Sequence, residues 1–364
     1  MKLSINKDAI LDGLQKVQSI VSTRSTLPVL YNVHLKAEKD TLWLTTTDLE
    51  VTARTSVPAS VARTGGTTLP VRRVYNIFKE LPVNDIEIDV SDKNIASVRS
   101  GAAFFKIIGI SEDEFPAMPK LADSRTYTLE QAAFKTMLQA VHYAASRDEM
   151  RPMLNGVFLR FKEGKFTAVA TDARRMALWE HVMEVPRDQE AECIVPSKTI
   201  SELLKLLGNS GTIKIQISEK HVAFDFDAMR IVSKLVEQTY PNYRQVLPEG
   251  IEQRITLERE EFLNAIRRVA LLLDGRNGSI TLTFTKNNLE LSAVANDVGE
   301  ATERMGVKYS GRDIAIAFNP EYLMDPLRHV SAKEIVFEMN DEMSPCLIKA
   351  DIPFIYVLMP VRTK

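Results

Sequence analysis

Two carboxylates are the first residues in this chain whose type and setting could do chemistry. Asp48 lies in Thr45-Thr46-Thr47-Asp48-Leu49-Glu50 and Asp172 in Val169-Ala170-Thr171-Asp172-Ala173-Arg174. Brought together, two acids could act as general acid and general base. A Thr-Asp pair at a strand end has another use: it bonds nearby backbone N–H groups and fixes a turn. The two segments lie about 124 residues apart, and Val294-Ala295-Asn296-Asp297 follows at nearly the same interval. Equivalent places in repeated units favour the turn over a catalytic pair.

Other reactive patterns are missing. No two of His34, His142, His181, His221 and His329 sit at metal-ligand spacing. There is no P-loop, dinucleotide fingerprint or nucleophile elbow, and Gly65-Gly66 reads as an ordinary turn. Neither a metal nor a cofactor is expected. Cys193 and Cys346 stand far apart in apolar settings and read as buried thiols in a reducing compartment. Asn277-Gly278-Ser279 matches a glycosylation acceptor, but no secretory signal precedes it, so it reads as a turn. No apolar run reaches membrane-spanning length. The expected location is cytoplasmic, with no membrane partner.

The elements around the Thr-Asp segments repeat as well. Each follows an alternating run: Leu42-Trp43-Leu44, Phe166-Thr167-Ala168-Val169 and Leu289-Glu290-Leu291. Upstream, helical spacing predicts helices over 6–21 (Ile10, Leu14, Val17, Val21), 129–146 (Phe134, Leu138, Val141, Ala145) and 257–273 (Phe262, Ile266, Val269, Leu273). Downstream, a second helix follows a proline: 71–81 after Pro70, 197–207 after Pro196, 321–330 after Pro320. Pro326 falls inside the last of these and is expected to kink or shorten it. Strand patterns follow over 86–90, 213–217 and 335–339, and each unit closes on a further strand over 104–110, 230–236 and 354–361. The period is that of a whole domain. The chain is therefore expected to be α+β, with three similar domains over 1–120, 121–250 and 251–364. Proline-punctuated linkers, Phe115-Pro116-Ala117-Met118-Pro119 and Tyr240-Pro241 through Pro248-Glu249-Gly250, separate them.

The formal net charge of −2 argues weakly against nucleic acid. The six helical segments together carry +3, leaving −5 for the rest, so the helices are modestly basic. A solvated helical face accounts for such a bias equally well.

A resemblance sharpens this reading. Thr26-Leu27-Pro28-Val29-Leu30, Thr47-Asp48-Leu49-Glu50, Leu154-Asn155-Gly156-Val157, Ala170-Thr171-Asp172 with Arg175-Met176-Ala177, Tyr240-Pro241-Asn242-Tyr243-Arg244 and Val357-Leu358-Met359-Pro360-Val361-Arg362 run in order along the chain. Together they resemble the bacterial sliding DNA clamps, the beta subunits of the replicative DNA polymerase III holoenzyme. The resemblance implies three DNA-clamp domains in tandem and a head-to-tail homodimer forming a six-domain ring, with antiparallel sheets outside and twelve helices lining a channel. Helices packed about 8–10 Å apart give such a ring a circumference on the order of 100–120 Å, enough for a duplex and a layer of water. It also implies a processivity factor without catalysis of its own. Its partners would be double-stranded DNA of any sequence, the polymerase catalytic subunit, the clamp loader and other proteins carrying clamp-binding peptides. It would be cytoplasmic and nucleoid-associated.

The same resemblance distributes the sites. Arg24, Arg72, Arg73, Arg151 and Lys198 match or neighbour positions facing DNA, and Lys79, Arg147 and Lys205 are added from the helices themselves. Asp148 and Glu149 place acid beside Arg147 and Arg151. A peptide groove is implied at Leu154, Thr171, Arg174, Arg175, Met176, Pro241, Val246, Val357, Met359, Pro360, Val361 and Arg362, with a second part at Asn319, Tyr322, Met343, Ser344 and Pro345. Methionine and valine would give it an adaptable apolar floor, although Val246, Val357 and Met359 also suit plain core packing. Arg174 stands where histidine is commoner, so the rim favours a more acidic peptide. A dimer contact is implied between Arg73, Ile77, Phe105 and Ile107 on one side and Leu271, Leu272, Glu300 and Glu303 on the other. The competing readings are a multidomain enzyme using Asp48 and Asp172, and an assembly scaffold that does not bind nucleic acid.

Overall fold

The structure is a computed structural model that describes residues 1–21, 25–248, 250–273, 278–295 and 297–362. Arg24, Glu249, Asn277 and Asn296, each part of an expectation above, lie outside the described residues. Six α-helices are present among the described residues: α1 (Lys7–Val17), α2 (Val71–Glu80), α3 (Gln131–Val141), α4 (Ser197–Leu206), α5 (Arg259–Ala270) and α6 (Pro320–His329).

The first helix of each repeat is shorter than its apolar spacing predicts. Leu129 and Leu257 belong to the strands Arg125–Glu130 and Gln253–Glu258, which run straight into α3 and α5. At the other end, α1 and α3 tighten into 3-10 turns over Gln18–Ile20 and His142–Ala144. Strand end, helix and 3-10 turn bury one continuous apolar side, so periodicity alone merges them. Caps mark the true starts. The Asn6 side chain accepts from the Asp8 and Ala9 N–H groups at 3.0 and 3.2 Å, and Glu258 accepts from Glu261 at 2.6 Å.

The chain divides into two compact units, Met1–Lys135 with Ser201–Leu235, and Thr136–Ile200 with Val236–Lys364. The first holds an eight-stranded antiparallel sheet in the order Arg125–Glu130, Thr212–Ile217, His221–Phe226, Met229–Lys234, Val51–Pro58, Thr41–Thr47, Asn32–Glu38, Gly65–Pro70. It also holds a five-stranded sheet from Ser60–Arg63 through Lys2–Asn6, Asp85–Val90 and Ile95–Ser100 to Ala103–Ile108. The second unit holds an eight-stranded sheet in the order Ala191–Pro196, Gly156–Lys162, Lys165–Thr171, Arg175–Val182, Ile352–Leu358, Cys346–Ala350, Glu334–Met339, Gln253–Glu258. Its four-stranded sheet runs Gly299–Gly306, Asn288–Ala295, Ile280–Thr285, Ile314–Phe318. Each eight-stranded sheet is two four-stranded sheets from consecutive repeats joined edge to edge. One seam pairs Met229–Lys234 with Val51–Pro58, the other Arg175–Val182 with Ile352–Leu358. Backbone pairing across these seams is why the middle repeat contributes a sheet to each unit.

Aromatic side chains fill the cores under the sheets. Phe134 stacks near Phe224 in the first unit and Phe161 on Phe166 in the second, with ring centroids 6.1 and 4.2 Å apart.

Two local expectations fail for identifiable reasons. Gly65-Gly66 is not a turn but the start of the strand Gly65–Pro70. A Cβ on Gly66 would lie 2.1 Å from a Glu112 carboxylate oxygen, so the residue leaves room for that side chain. Pro326 does not shorten α6, which keeps ten residues, as α2 and α4 do. The proline removes the N–H that would bond the Tyr322 carbonyl, and the Tyr356 hydroxyl donates to that carbonyl instead at 2.7 Å. Among the described residues, no helix is long and apolar enough to cross a membrane, and no His/Cys/Asp/Glu group could hold a metal ion.

Candidate functional site

Asp48 and Asp172 do the same backbone work in their two repeats. Asp172 Oδ1 accepts from the N–H groups of Arg174 and Arg175 at 2.9 and 3.0 Å, and Asp48 Oδ1 from Glu50 and Val51 at 3.0 and 2.7 Å. The threonines complete each turn. Thr171 Oγ1 donates to the Arg175 carbonyl and accepts from Ala173 N–H, and Thr47 does likewise with Val51 and Leu49. The residue after each aspartate takes a positive φ, 71° at Ala173 and 75° at Leu49. Such turns use the carboxylates as acceptors and give no general acid–base pair. Cys193 and Cys346 are buried, and burial pushes each thiol up to about 12, far from a reactive thiolate.

Beneath the 171–175 turn, Arg175 ties together groups from several elements of the second unit. The Arg175 side chain is 10% exposed. Its Nε donates to Asp172 Oδ2 at 3.1 Å, its Nη2 to the Tyr143 carbonyl at 2.9 Å, and its Nη1 to Asp325 Oδ2. The guanidinium lies 4.3 Å from the centroid of the Tyr322 ring. Burial by itself lowers the Arg175 pKa, but Tyr356, Asp325 and Asp172 more than reverse that and the net direction is up. Burial also holds the Tyr356 phenol well above its usual range, so Tyr356 is neutral at physiological pH and the operative partners are the two carboxylates. Tyr143, Asp325 and Tyr356 are absent from the sequence expectations. No motif marks them, and only counting along α6 could have singled out Asp325.

The residues expected to line a groove gather around this arrangement in the same unit. Tyr240 stacks on Phe158 with centroids 4.7 Å apart, which anchors the linker that presents exposed Pro241 and Val246. The C-terminal segment is fixed at two points: Met359 N–H donates to the Arg174 carbonyl at 3.0 Å and Val361 N–H to the Ala317 carbonyl at 2.7 Å. Met359 and Val361 stay 40% and 41% exposed, with Pro360 half-buried and Arg362 exposed. Asp341 accepts from the Met343 and Ser344 N–H groups and from the Ser344 hydroxyl, which holds its carboxyl below the usual range and shapes the loop carrying Met343, Ser344 and Pro345. Asn319 caps α6 by accepting from Glu321 and Tyr322 N–H. The geometry narrows the expected contacts. Met176 and Val357 are each 2% exposed, within a cluster with Phe158, Val169, Tyr240 and Leu347, and Leu154 is also buried. These three belong to the core, and of the expected apolar residues Val246, Met359, Val361 and Met343 are exposed. Arg174 is exposed.

The remaining expected residues are at the surface. Arg72, Arg73 and Lys79 on α2, Lys198 and Lys205 on α4, and Arg147 and Arg151 after α3 are solvent-accessible to differing degrees. Arg151 lies 3.6 Å from Asp148, and Lys205 2.7 Å from Glu202. In the first unit, Arg73, Ile77 and Phe105, with Tyr31, Pro70 and Asn76, line a groove of about 670 Å³, while Ile107 is buried. In the second unit, Leu271 is 86% exposed, Leu272 half-buried and Glu300 exposed, and Glu303 pairs with Arg268 of the same chain.

Three tandem copies of one two-helix α+β unit, their sheets joined edge to edge and Asp48 and Asp172 engaged in turns, define a clamp-type fold. Family models of the DNA polymerase III beta subunit match in sequence order: the N-terminal domain over residues 1–119, the central domain over 128–242 and the C-terminal domain over 244–362. The chain is 32% identical to the beta sliding clamp of Pseudomonas aeruginosa, covering 100% of both chains, and 30% identical to that of Chlamydia pneumoniae, covering 100% of this chain and 99% of the relative. The crystal structure of the DNA polymerase sliding clamp from Bacillus subtilis superposes with a TM-score of 0.97 at 28% identity, with both chains fully covered. The chain belongs to the beta sliding clamp family, the beta subunits of DNA polymerase III.

Proposed function

We propose that this chain is a DNA sliding clamp. Two copies close head to tail into a six-domain ring around duplex DNA and tether the replicative polymerase, without catalysis of their own. Its clamp domains are 1–120, 121–250 and 251–364. Its partners are DNA of any sequence, the polymerase catalytic subunit, the clamp loader and other proteins whose short peptides enter the groove around Met359. It works in the cytoplasm, at the nucleoid.

The observation that carries this reading is that, among the described residues, two edge strands equivalent to the seam strands have no strand beside them. Ala53, Ala177 and Ala301 hold the same place in the three repeats, opposite Thr46, Ala170 and Ala293. At the two seams, Ala53 pairs with Ile231 and Ala177 with Tyr356. Ala301 sits on the edge strand Gly299–Gly306, and the edge strand Ala103–Ile108 closes its repeat as the seam strands Met229–Lys234 and Ile352–Leu358 close theirs. The hairpins Ser100–Ala103 and Phe226–Met229 align Phe105 with Ile231. Phe105 therefore belongs opposite Ala301 of a second copy, and Lys106 opposite its Glu300. Two complementary edges, one in each unit, make a heterologous contact between copies, which closes into a ring when the rotation allows.

The helices agree. Ser19, the second residue after α1, donates to Glu202, the sixth residue of α4, at 2.6 Å. Tyr143, the second residue after α3, shares Arg175 with Asp325, the sixth residue of α6. The corresponding residues left over are Leu272 after α5 and Asn76 in α2, and Asn76 lines the groove of the first unit. Leu271 and Leu272 of a second copy fit that groove.

The test is topological. Loaded on nicked circular DNA by its loader, the protein is expected to have the mass of two chains and to stay bound until the circle is cut, then to leave through the free end. A single-chain mass, or equal retention on circular and linear DNA, would refute the ring.

A further inference from the structure

Arg175 belongs by resemblance to the groove lining, yet its guanidinium is engaged inward on every side. One of the groups that engages it, Asp325, lies outside the lining. We propose that Asp325 is a positioning residue for the peptide groove, holding Arg175 as a strut between the 171–174 turn and the start of α6. This inference rests on the reading of that face as a peptide groove.

The two parts of the groove come from different repeats. Thr171 and Arg174 lie on the turn that Asp172 organises, and the Arg174 carbonyl fixes Met359. Asn319 and Tyr322 begin α6, and Tyr322 lies one helical turn before Asp325. Arg175 touches both sides: Asp172 on the turn, and on α6 both Asp325 and the face of Tyr322. Arg328 steadies the helix side, lying 3.5 Å from Asp325 and 2.9 Å from Glu321. A peptide touching both parts binds well only if their separation is fixed beforehand. An unpaired guanidinium is poorly tolerated in so enclosed a place, so without the Asp325 charge Arg175 is drawn toward Asp172 and Tyr322 loses its fixed neighbour.

The pair is particular to this seam. The place of Arg175 is Val51 in the first repeat, four residues after Thr47 as Arg175 is after Thr171. The place of Asp325 is Glu202 in the middle repeat, where the acid accepts from Ser19 rather than from an arginine. The arginine strut and the groove residues thus occur at the same seam, whereas the other internal seam has a plain hydroxyl–carboxylate contact.

The experiment is a titration of the full-length protein with a Gln-Leu-x-Leu-Phe peptide, in a cycle of Asp325→Asn, Arg175→Met and the double variant, with melting temperature recorded for each. Asp325→Asn is expected to raise Kd about tenfold, within the usual range for coupled groups. The double variant should bind no more weakly than Arg175→Met alone. Arg328→Gln, which loosens Asp325 from its outer side, should give a smaller loss in the same direction and serves if the asparagine chain does not fold. A lowered melting temperature with unchanged Kd would mean that Asp325 only stabilises the fold, and would overturn the inference. So would losses that add in the double variant, since Asp325 would then act without Arg175. If the unaltered protein fails to bind the peptide, the groove reading falls and takes this inference with it; normal binding with an indifferent Asp325→Asn sinks the inference alone.

Discussion

Replacing Leu271 and Leu272 together by aspartate is expected to turn a stable dimer into a folded monomer. Just past the end of α5, Leu271 is 86% exposed and Leu272 half-buried, neither of them in the core of its own chain, so the double variant is expected to fold, with a modestly lower melting temperature from Leu272. Burying two leucines in the groove beside Ile77 and Phe105 contributes about 3–6 kcal/mol per seam. A head-to-tail dimer makes the contact twice, so the loss counts twice, and buried aspartates add a desolvation penalty. At about 1.4 kcal/mol per factor of ten, the dimer dissociation constant should rise by at least about four orders of magnitude. Sedimentation should then report a mass near the 40.9 kDa of one chain. Val182→Asp, at an equally exposed valine outside the expected contact, is the control and should leave the dimer intact. A double variant that still sediments as a dimer would remove these leucines from the interface.

The elements behind that contact are legible in the sequence, but their side-chain partners are not, for a physical reason. Apolar periodicity locates the first helix of each repeat, because burial on one face is written into the spacing of Ile10, Leu14 and Val17 and their counterparts, and the prolines at 70, 196 and 320 locate the second. It cannot separate strand, helix and 3-10 turn where all three bury the same side, so the spans it gives for α1, α3 and α5 run too long. The Thr-Asp turns are readable because their hydrogen bonds are local, between residues two to four apart. Contacts between distant residues are not readable. Nothing near Pro326 announces that Tyr356 will supply the missing donor, and nothing near Gly66 announces the Glu112 carboxylate. The Arg175 knot joins residues 143, 172, 175, 322 and 325, and only its Asp172 contact lies within a turn of sequence. The groove is legible by resemblance as a set of residues, but its layering is not. Strand alternation turns Met176 and Val357 inward, whereas Met359 and Val361 extend beyond the last strand pair and remain exposed.

The second large effect concerns how the ring holds DNA. The candidate phosphate contacts Arg72, Arg73, Lys79, Arg147, Arg151, Lys198 and Lys205 lie at the surface, but Asp148 and Glu202 partly offset two of them. Were adhesion responsible, six or more phosphate contacts would make affinity fall about 10³- to 10⁵-fold between roughly 50 and 200 mM salt. A ring held by topology behaves otherwise, because its lifetime is set by opening of the seam, and the seam proposed at Phe105 and Leu271 has an apolar centre little affected by screening. On closed circular DNA, lifetime is therefore expected to change by less than about tenfold over that salt range. On linear DNA it should be short at every salt concentration. Reversing Arg72 and Arg151 to glutamate should slow loading, a step that depends on electrostatic steering, and leave the lifetime on circles nearly unchanged. The measurement is the decay of labelled protein on single DNA circles after loader and free protein are washed away. A lifetime on circles that collapses with salt as steeply as adhesive binding does would show that charge, not encirclement, holds the protein to DNA.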